Sequence, residues 1–418
     1  LKKKVFFKTF GCRTNIYDTQ LLKTYIIDHD ITQNEQEADV IVINSCTVTN
    51  GADSGLRAYI NGMKKNGVKI ILTGCAAVSK GKDFFDKKEV FGILGASNKN
   101  KINELISQDK SFYELGNLRF IDTKIVSNYE NHTKAFVKIQ EGCDFACSYC
   151  IIPSVRGKSR SVPSEEIIKQ IKLLAQNGYS EVVLTGTNIG SYGLKDKTTL
   201  GRLLQEIGKV NGIKRVRLGS LEPAQIDASF KEILDESWLE RHLHIALQHT
   251  HEKMLRIMRR RSHTKNDLAL FNELSQKGFA LGTDFIVAHP GESEEIWKEA
   301  LENFKQFKLT HIHAFIFSPR DGTHSASMSE RINGEIAKER LNILKDIVAQ
   351  NNYEFRKNQK SALEILVESK KDDFYEGYDQ FFNKIKIKTK KDIAKQWINI
   401  KNYECLKEHN FARLEDEE

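Results

Sequence analysis

Three short apolar runs near the start of the chain, at residues 5–10, 40–44 and 68–73, are each followed two residues later by a cysteine: Cys12, Cys46 and Cys75. Runs this short and this continuous suit parallel strands that are covered on both faces. In open parallel sheets, ligands bind beyond the carboxyl ends of the strands. The cysteines stand 34 and 29 residues apart, about one β-α unit each, so this topology would gather three thiols that the sequence separates. The plainer alternative is three small residues capping buried strands.

A second trio, Cys143-x-x-x-Cys147-x-x-Cys150, follows another apolar run at 135–140. Iron–sulfur clusters are normally held by four thiolates. A loop offering three leaves one iron of a cubane open to an outside ligand. The amino and carboxylate end of S-adenosylmethionine is such a ligand, and one electron passed into its sulfonium generates a carbon radical. A zinc site would want a fourth Cys or His at short spacing; the nearest histidine, His132, lies on the wrong side of the strand. Seven cysteines is an odd number in a chain without a secretory signal, which argues against a disulfide framework. Cys405 stands apart and is expected to be a buried or idle thiol.

A polar stretch at 107–132 reads as a linker, after which the β/α alternation resumes. Candidate strands fall at 135–140, 181–185, 215–219, 242–248, 282–287 and 310–317. The helix after the cysteine loop opens at Pro163-Ser164-Glu165-Glu166, carries Ile167, Ile171 and Leu174 on one face, and stops at Gly178. Six such repeats predict a partial barrel, short of the eight strands of a closed one. Residues 329–358 read as one long helix with an apolar stripe of Ala337, Leu341, Leu344 and Val348.

The remainder reads as a small all-β module. Lys384, Lys386 and Lys388 alternate with Ile385 and Ile387, which puts a basic stripe over an apolar underside. With Phe381, Phe382 and Trp397 nearby, this combination suits single-stranded nucleic acid. The alternative is an edge strand kept monomeric by its lysines. The expected fold is thus α/β in three domains: a parallel sheet over 1–125, a six-stranded partial β/α barrel with its closing helix over 126–358, and an all-β module over 359–418.

A chain of 418 residues with 40% hydrophobic and 29% charged residues is long enough and ordinary enough for such globular domains. Its net charge of +8 fits a polyanionic partner. No run approaches the ~18 apolar residues that cross a bilayer. The basic, briefly apolar start lacks a cleavage site, so a cytoplasmic protein is expected. The acidic tail at 415–418 is expected to fray.

Other motifs are set aside. Gly157-Lys158-Ser159 resembles the end of a phosphate-binding loop, but Ile152 stands where that loop needs glycine. His242/His244 and His311/His313 would each face one side of a strand; with no carboxylate evident in register, packing or substrate contact is favoured over metal. His251-Glu252 lacks the second histidine of a zinc-protease helix. Arg256, Arg259, Arg260 and Arg261 are placed on a helix, as an exposed face or a phosphate-contacting patch.

The stretches Phe10-Gly11-Cys12, Asn44-Ser45-Cys46, Thr73-Gly74-Cys75 and Glu141-Gly142-Cys143 through Cys150 resemble the methylthiotransferase branch of the radical S-adenosylmethionine superfamily. Ile151-Ile152-Pro153, Arg156-Gly157, Leu184-Thr185-Gly186, Ser220-Leu221-Glu222-Pro223 and Pro290-Gly291-Glu292 extend the likeness over nearly all of the chain. It is weakest near the end, which is similar to a short TRAM module, an RNA-binding β-barrel. Cys46-Thr47-Val48-Thr49-Asn50 is similar to the members that act on threonylcarbamoyladenosine in tRNA. The chain departs from the family pattern at Ala246 and Ile316, where proline is usual, at His249 and His251, where small residues are, and at Ala288-His289, where Gly-Phe is. These positions fall at strand ends and bear on the substrate pocket.

The resemblance implies two [4Fe-4S] clusters, S-adenosylmethionine and a tRNA substrate. One cluster, on Cys143, Cys147 and Cys150, would cleave S-adenosylmethionine to a radical that takes hydrogen from C2 of the modified adenosine at position 37, beside the anticodon. An aromatic C–H offers no acidity for a side-chain base. The other, on Cys12, Cys46 and Cys75, would supply or carry sulfur, and a second S-adenosylmethionine the methyl. Thr185-Gly186-Thr187 would hold the S-adenosylmethionine amino group, and Lys384, Lys386 and Lys388 the tRNA phosphates. An electron donor such as a flavodoxin and a sulfur donor would be further partners; a monomer without membrane attachment is expected. The rival readings are methylthiolation of isopentenyladenosine or of a ribosomal protein aspartate and, more distantly, a non-catalytic iron–sulfur RNA-binding protein.

Overall fold

The computed structural model describes residues 2–64, 67–130 and 132–414. The tail at 415–418 lies outside the described residues. Strands β1 (Lys4–Thr9), β2 (Asp30–Ile31), β3 (Val40–Ser45), β4 (Lys69–Gly74), β5 (Gly92–Leu94) and β6 (Phe112–Glu114) form one parallel sheet in the order β2-β1-β3-β4-β5-β6. Ile41 and Ile43 join Ile70 and Leu72 in a core on one face, while Val40 and Val42 join Val5 and Ile71 in a core on the other. Burial on both sides is why these runs show no polar alternation.

The stretch expected to be a linker is structural. It contains β6, whose Phe112 is buried, and it sends Val126 and Tyr129 into the core of the next domain. Few apolar residues are needed at such docking points, so a polar average hid them.

Next come β7 (Ala135–Glu141), β8 (Arg160–Ser161), β9 (Glu181–Gly186), β10 (Arg215–Leu218), β11 (His242–His244), β12 (Ala280–Val287) and β13 (His311–Ile316). All but β8 run parallel, in the order β7-β9-β10-β11-β12-β13. Bridges from Val216 to Leu239 and from Leu221 to Ile245 join β10 to β11. The six strands curve into the expected partial barrel, with β8 antiparallel on the outer edge of β7. β11 is shorter than the run at 242–248 suggests. Beyond it the backbone bonds irregularly to both neighbours, Ala246 N to Leu221 O and Gln248 N to Asp284 O.

The helix Ser164–Gln176 buries Ile167, Ile171 and Leu174 as read. The long helix runs Gly334–Lys357, starting later than expected because the Asn333 side chain caps the Glu335 N–H at 2.8 Å. Its Ala337, Leu344 and Val348 are buried, and Leu341 packs beside them. Among the described residues no helix is long and apolar enough to cross a membrane.

The last strands, β14 (Leu363–Lys371), β15 (Phe374–Tyr378), β16 (Lys384–Lys388), β17 (Trp397–Ile400), β18 (Glu404–Cys405) and β19 (Asn410–Arg413), form a curled, mostly antiparallel sheet. Ile385 and Ile387 lie in its core, beneath the lysines. This module docks on the amino ends of the barrel strands: Arg215 Nη2 donates to Glu364 O at 2.6 Å, and Arg241 N to Gln380 O at 2.8 Å. The three aromatics expected to serve nucleic acid are used here instead. Phe381 is buried in the module, Phe382 stacks on both Tyr378 and His242, and Trp397 Nε1 donates to Ser180 Oγ at 2.7 Å. Desolvating aromatic faces at a domain contact gains more than leaving them in water.

Candidate active site

The carboxyl ends of β1, β3 and β4 lie side by side, Thr9 opposite Asn44 and Asn44 opposite Thr73. Cys12, Cys46 and Cys75 therefore emerge at one sheet edge. Gly11, at φ +111°, permits the closest approach: a Cβ there would lie 2.6 Å from the Cβ of Cys46. Cys143, Cys147 and Cys150 sit on the loop leaving β7. All six cysteines line one cavity of about 430 Å³, with Gly186, Thr187, Glu222, Arg260 and Asp284 also in its wall.

Neither trio is drawn tight. Among the described residues no three cysteine sulfurs lie within 4.8 Å of one another, whereas four ligands around a zinc at thiolate distances would stand about 3.8 Å apart. Each trio instead offers three thiols to the shared cavity, the donor set that leaves one iron of a cubane open. N–H groups reach toward the sulfurs, among them Val48 N to Cys46 at 3.4 Å, Phe145 N to Cys143 at 3.4 Å, Asn188 Nδ2 to Cys143 at 3.6 Å, Arg260 Nη1 to Cys147 at 3.5 Å and Arg156 Nε to Cys75 at 3.1 Å. Donors of this kind tune iron–sulfur centres. Burial pushes the Cys46 thiol up to about 11 and the Cys150 thiol to about 12, so metal entry must displace those protons.

The sequence does not announce the role of Arg156. Its guanidinium is buried at the seam between the N-terminal sheet and the barrel. Nη1 donates to Asp18 Oδ2 at 2.8 Å and Glu141 Oε1 at 2.7 Å, and Nη2 to Asn15 Oδ1 at 2.7 Å. Lys138 Nζ adds bonds to Asp18 and Glu141 at 2.8 and 3.1 Å. Burial disfavours the Glu141 carboxylate, yet the Lys138 and Arg156 charges outweigh it and hold the group at about 2.

Arg260 corrects another expectation. The helix that should carry the arginine run ends at Ile257, and Arg259 turns the chain with φ +55°. That turn sends Arg260 inward, its side chain 2% exposed, onto Glu222 at 2.7 Å and toward Cys147, while Arg256, Arg259 and Arg261 stay exposed. His289, one of the departures from the family pattern, hydrogen-bonds Ser325 Oγ at 2.8 Å, which donates to Ser148 Oγ inside the cysteine loop. Ala246 and Ile316 line the cavity itself.

Gly186 and Thr187 face the cavity, whereas the Thr185 hydroxyl pairs with Thr14 Oγ1 at 3.1 Å and Thr187 Oγ1 accepts from Gly142 N. Lys384 is ion-paired with Glu376 at 2.8 Å, Lys386 is half-buried, and Lys388 is exposed. None of the three lines the cavity. Cys405 is half-buried, away from the other cysteines, and accepts from Arg356 Nη1 at 3.3 Å. The two His-x-His pairs face one side as expected, but a carboxylate does stand in register with them: Asp284, opposite His313.

The family model of the Radical SAM superfamily matches residues 137–304, and that described as Uncharacterized protein family UPF0004 matches residues 4–95. The chain is 48% identical to a protein of Helicobacter pylori strain J99 named "Putative methylthiotransferase", over 98% of this chain and 99% of that one. It is 35% identical to the "Threonylcarbamoyladenosine tRNA methylthiotransferase MtaB" of Aquifex aeolicus, covering 87% and 92% of the two chains. It is 32% identical to the "tRNA-2-methylthio-N(6)-dimethylallyladenosine synthase" of a Nitratiruptor species, covering 90% and 88%. Among solved structures, the radical S-adenosylmethionine methyltransferase TsrM of Kitasatospora setae shares the fold, with a TM-score of 0.61 at 12% identity over 78% of this chain and 77% of that one.

Proposed function

The chain belongs to the methylthiotransferases of the radical S-adenosylmethionine superfamily, and from that membership we propose that it adds a methylthio group at C2 of N6-threonylcarbamoyladenosine at position 37 of tRNA. It is a transferase whose family uses S-adenosylmethionine and a [4Fe-4S] cluster. The observation that supports the reading most is the meeting of six cysteines, three from each of two domains, on one cavity. The choice of threonylcarbamoyladenosine rests on Cys46-Thr47-Val48-Thr49-Asn50 and on relatives of that name at 32–35% identity.

In this reading Cys143, Cys147 and Cys150 hold one cluster and Cys12, Cys46 and Cys75 a second. When bound, these groups and S-adenosylmethionine supply the electron, the radical chemistry at an unreactive C–H, and the sulfur. The chain's own residues position and shield. Arg156 and Arg260 donate N–H to sulfurs of the two trios, and Gly186 and Thr187 present the edge that receives the S-adenosylmethionine amino group. Ile151, Ile286 and Phe315 give the cavity an apolar stretch of wall. The terminal module grips tRNA phosphates through Lys386 and Lys388, with Lys384 beside them, and a flavodoxin-like electron donor and a sulfur donor serve a monomeric enzyme.

Relatives named for dimethylallyladenosine, at 30–32% identity, give a second reading. Mass spectrometry of nucleosides from tRNA of cells with and without the protein decides. The expected result is a methylthio group on threonylcarbamoyladenosine. Its appearance on isopentenyladenosine selects the second reading. Absence from both, with no 5′-deoxyadenosine formed by the reduced protein, overturns the assignment.

A further inference from the structure

Inside the barrel, beside the cysteine cavity, a group of side chains converges that the sulfur chemistry leaves unused. His244 on β11 stands opposite Gly282 on β12, and two residues along β12 Asp284 stands opposite His313 on β13. Residues two apart on a strand point to one face, so both imidazoles and the carboxylate share the barrel interior. Gly282 makes the room: a Cβ there would lie 2.8 Å from His244 Nδ1 and 3.0 Å from His242 Nε2.

The ligand atoms are close enough to share one ion. Asp284 Oδ1 lies 3.1 Å from His244 Nε2 and 3.3 Å from His313 Nδ1, and the three atoms are within 4.8 Å of one another. Tetrahedral nitrogen and oxygen ligands around zinc stand about 3.3–3.5 Å apart. His244 Nε2 is buried against that carboxylate oxygen. The second carboxylate oxygen, Asp284 Oδ2, accepts from Ser220 Oγ at 3.3 Å, the sort of outer contact that orients a metal-binding carboxylate. Asp284 and Ser220 both line the cavity, which places the group in its wall.

We propose that His244, Asp284 and His313 bind a divalent first-row transition ion, with zinc the occupant that two imidazoles and one carboxylate suit best. A fourth position is left for a ligand from the cavity. His313 is the exposed member, at 66% of its side chain.

The test uses the full chain with its clusters reconstituted, exposed to zinc chloride and then desalted. Metal analysis is expected to give about one zinc per chain, and zinc-edge X-ray absorption a shell of nitrogen and oxygen only. His313→Ala and Asp284→Asn should each weaken zinc binding at least about tenfold while cluster iron is unchanged. His313 is exposed, so its variant keeps the test valid should Asp284→Asn fold poorly. An excess of iron in a nitrogen and oxygen shell, lost in the same variants, supports the site with ferrous iron as occupant. Three results overturn the proposal: no N/O-ligated ion in the wild type, equal metal retained by both variants, or sulfur in the zinc shell, which would put the ion on the cysteines. None of these readouts depends on which nucleoside is modified.

Discussion

Arg156 Nε lies 3.1 Å from Cys75 Sγ, so a guanidinium of the barrel holds a thiol that belongs to the N-terminal sheet. The same side chain bonds Asp18 and Asn15 of the sheet domain and Glu141 of the barrel. One residue thereby sets both the seam between domains and the electrostatic setting of a sulfur. Arg156→Ala leaves two buried carboxylates short of a partner, which typically costs about 3–5 kcal/mol. Urea unfolding of the cluster-free protein should show that loss. Arg156→Lys keeps a charge without the planar fork and should recover only part of it; full recovery would mean the fork geometry is irrelevant.

If both trios hold clusters, anaerobic reconstitution should load about eight irons per chain, and a Cys12→Ala/Cys46→Ala/Cys75→Ala variant about four. Iron and sulfide assays read this directly. A wild type that never exceeds four removes the sulfur-carrying role from the N-terminal trio.

Asp267 provides a pH-dependent stability test. Burial pushes its carboxyl up to about 6, and its Oδ2 has no hydrogen-bond partner. A folded-state value above the unfolded one means the native chain binds this proton more tightly. The contribution is full below about pH 4 and fades as pH rises through 6, leaving a buried carboxylate as a cost at neutrality. Asp267→Asn should therefore stabilise by about 1–3 kcal/mol at pH 7.5, and the gap should close toward pH 4. Thermal melts across that range check it, and a constant gap would contradict it.

For tRNA binding, Lys386→Ala/Lys388→Ala should weaken affinity and flatten its salt dependence. Every phosphate left without its lysine lowers the log–log slope by about 0.7–0.9. Lys384, tied to Glu376 at 2.8 Å, should contribute less. Filter binding at several salt concentrations measures the slope, and an unchanged value would make the stripe a solvated face.

What could be read in advance divides along physical lines. The order of strands and the gathering of Cys12, Cys46 and Cys75 follow from local apolar runs and one topological rule. Arg260 did not follow, because its inward turn depends on a positive φ at Arg259 that no residue type there announces. Asp284 is not legible as a partner of His244 and His313, because register between strands is a property of the folded sheet. Phe382 and Trp397 misled for a related reason. Aromatic residues among lysines look alike whether they meet a base or a neighbouring domain, and only the partners, His242 and Ser180, tell the two apart.

Ser180, Arg215 and Arg241, which hold the terminal module, stand where the barrel strands begin, while the cysteine-lined cavity opens where they end. A six-residue strand such as β9 separates the two levels by about 20 Å. A lone nucleoside cannot touch both. If the terminal module holds tRNA as proposed, only a long, bent polymer can rest on the floor of the molecule and still reach its roof, and size itself becomes a criterion of admission.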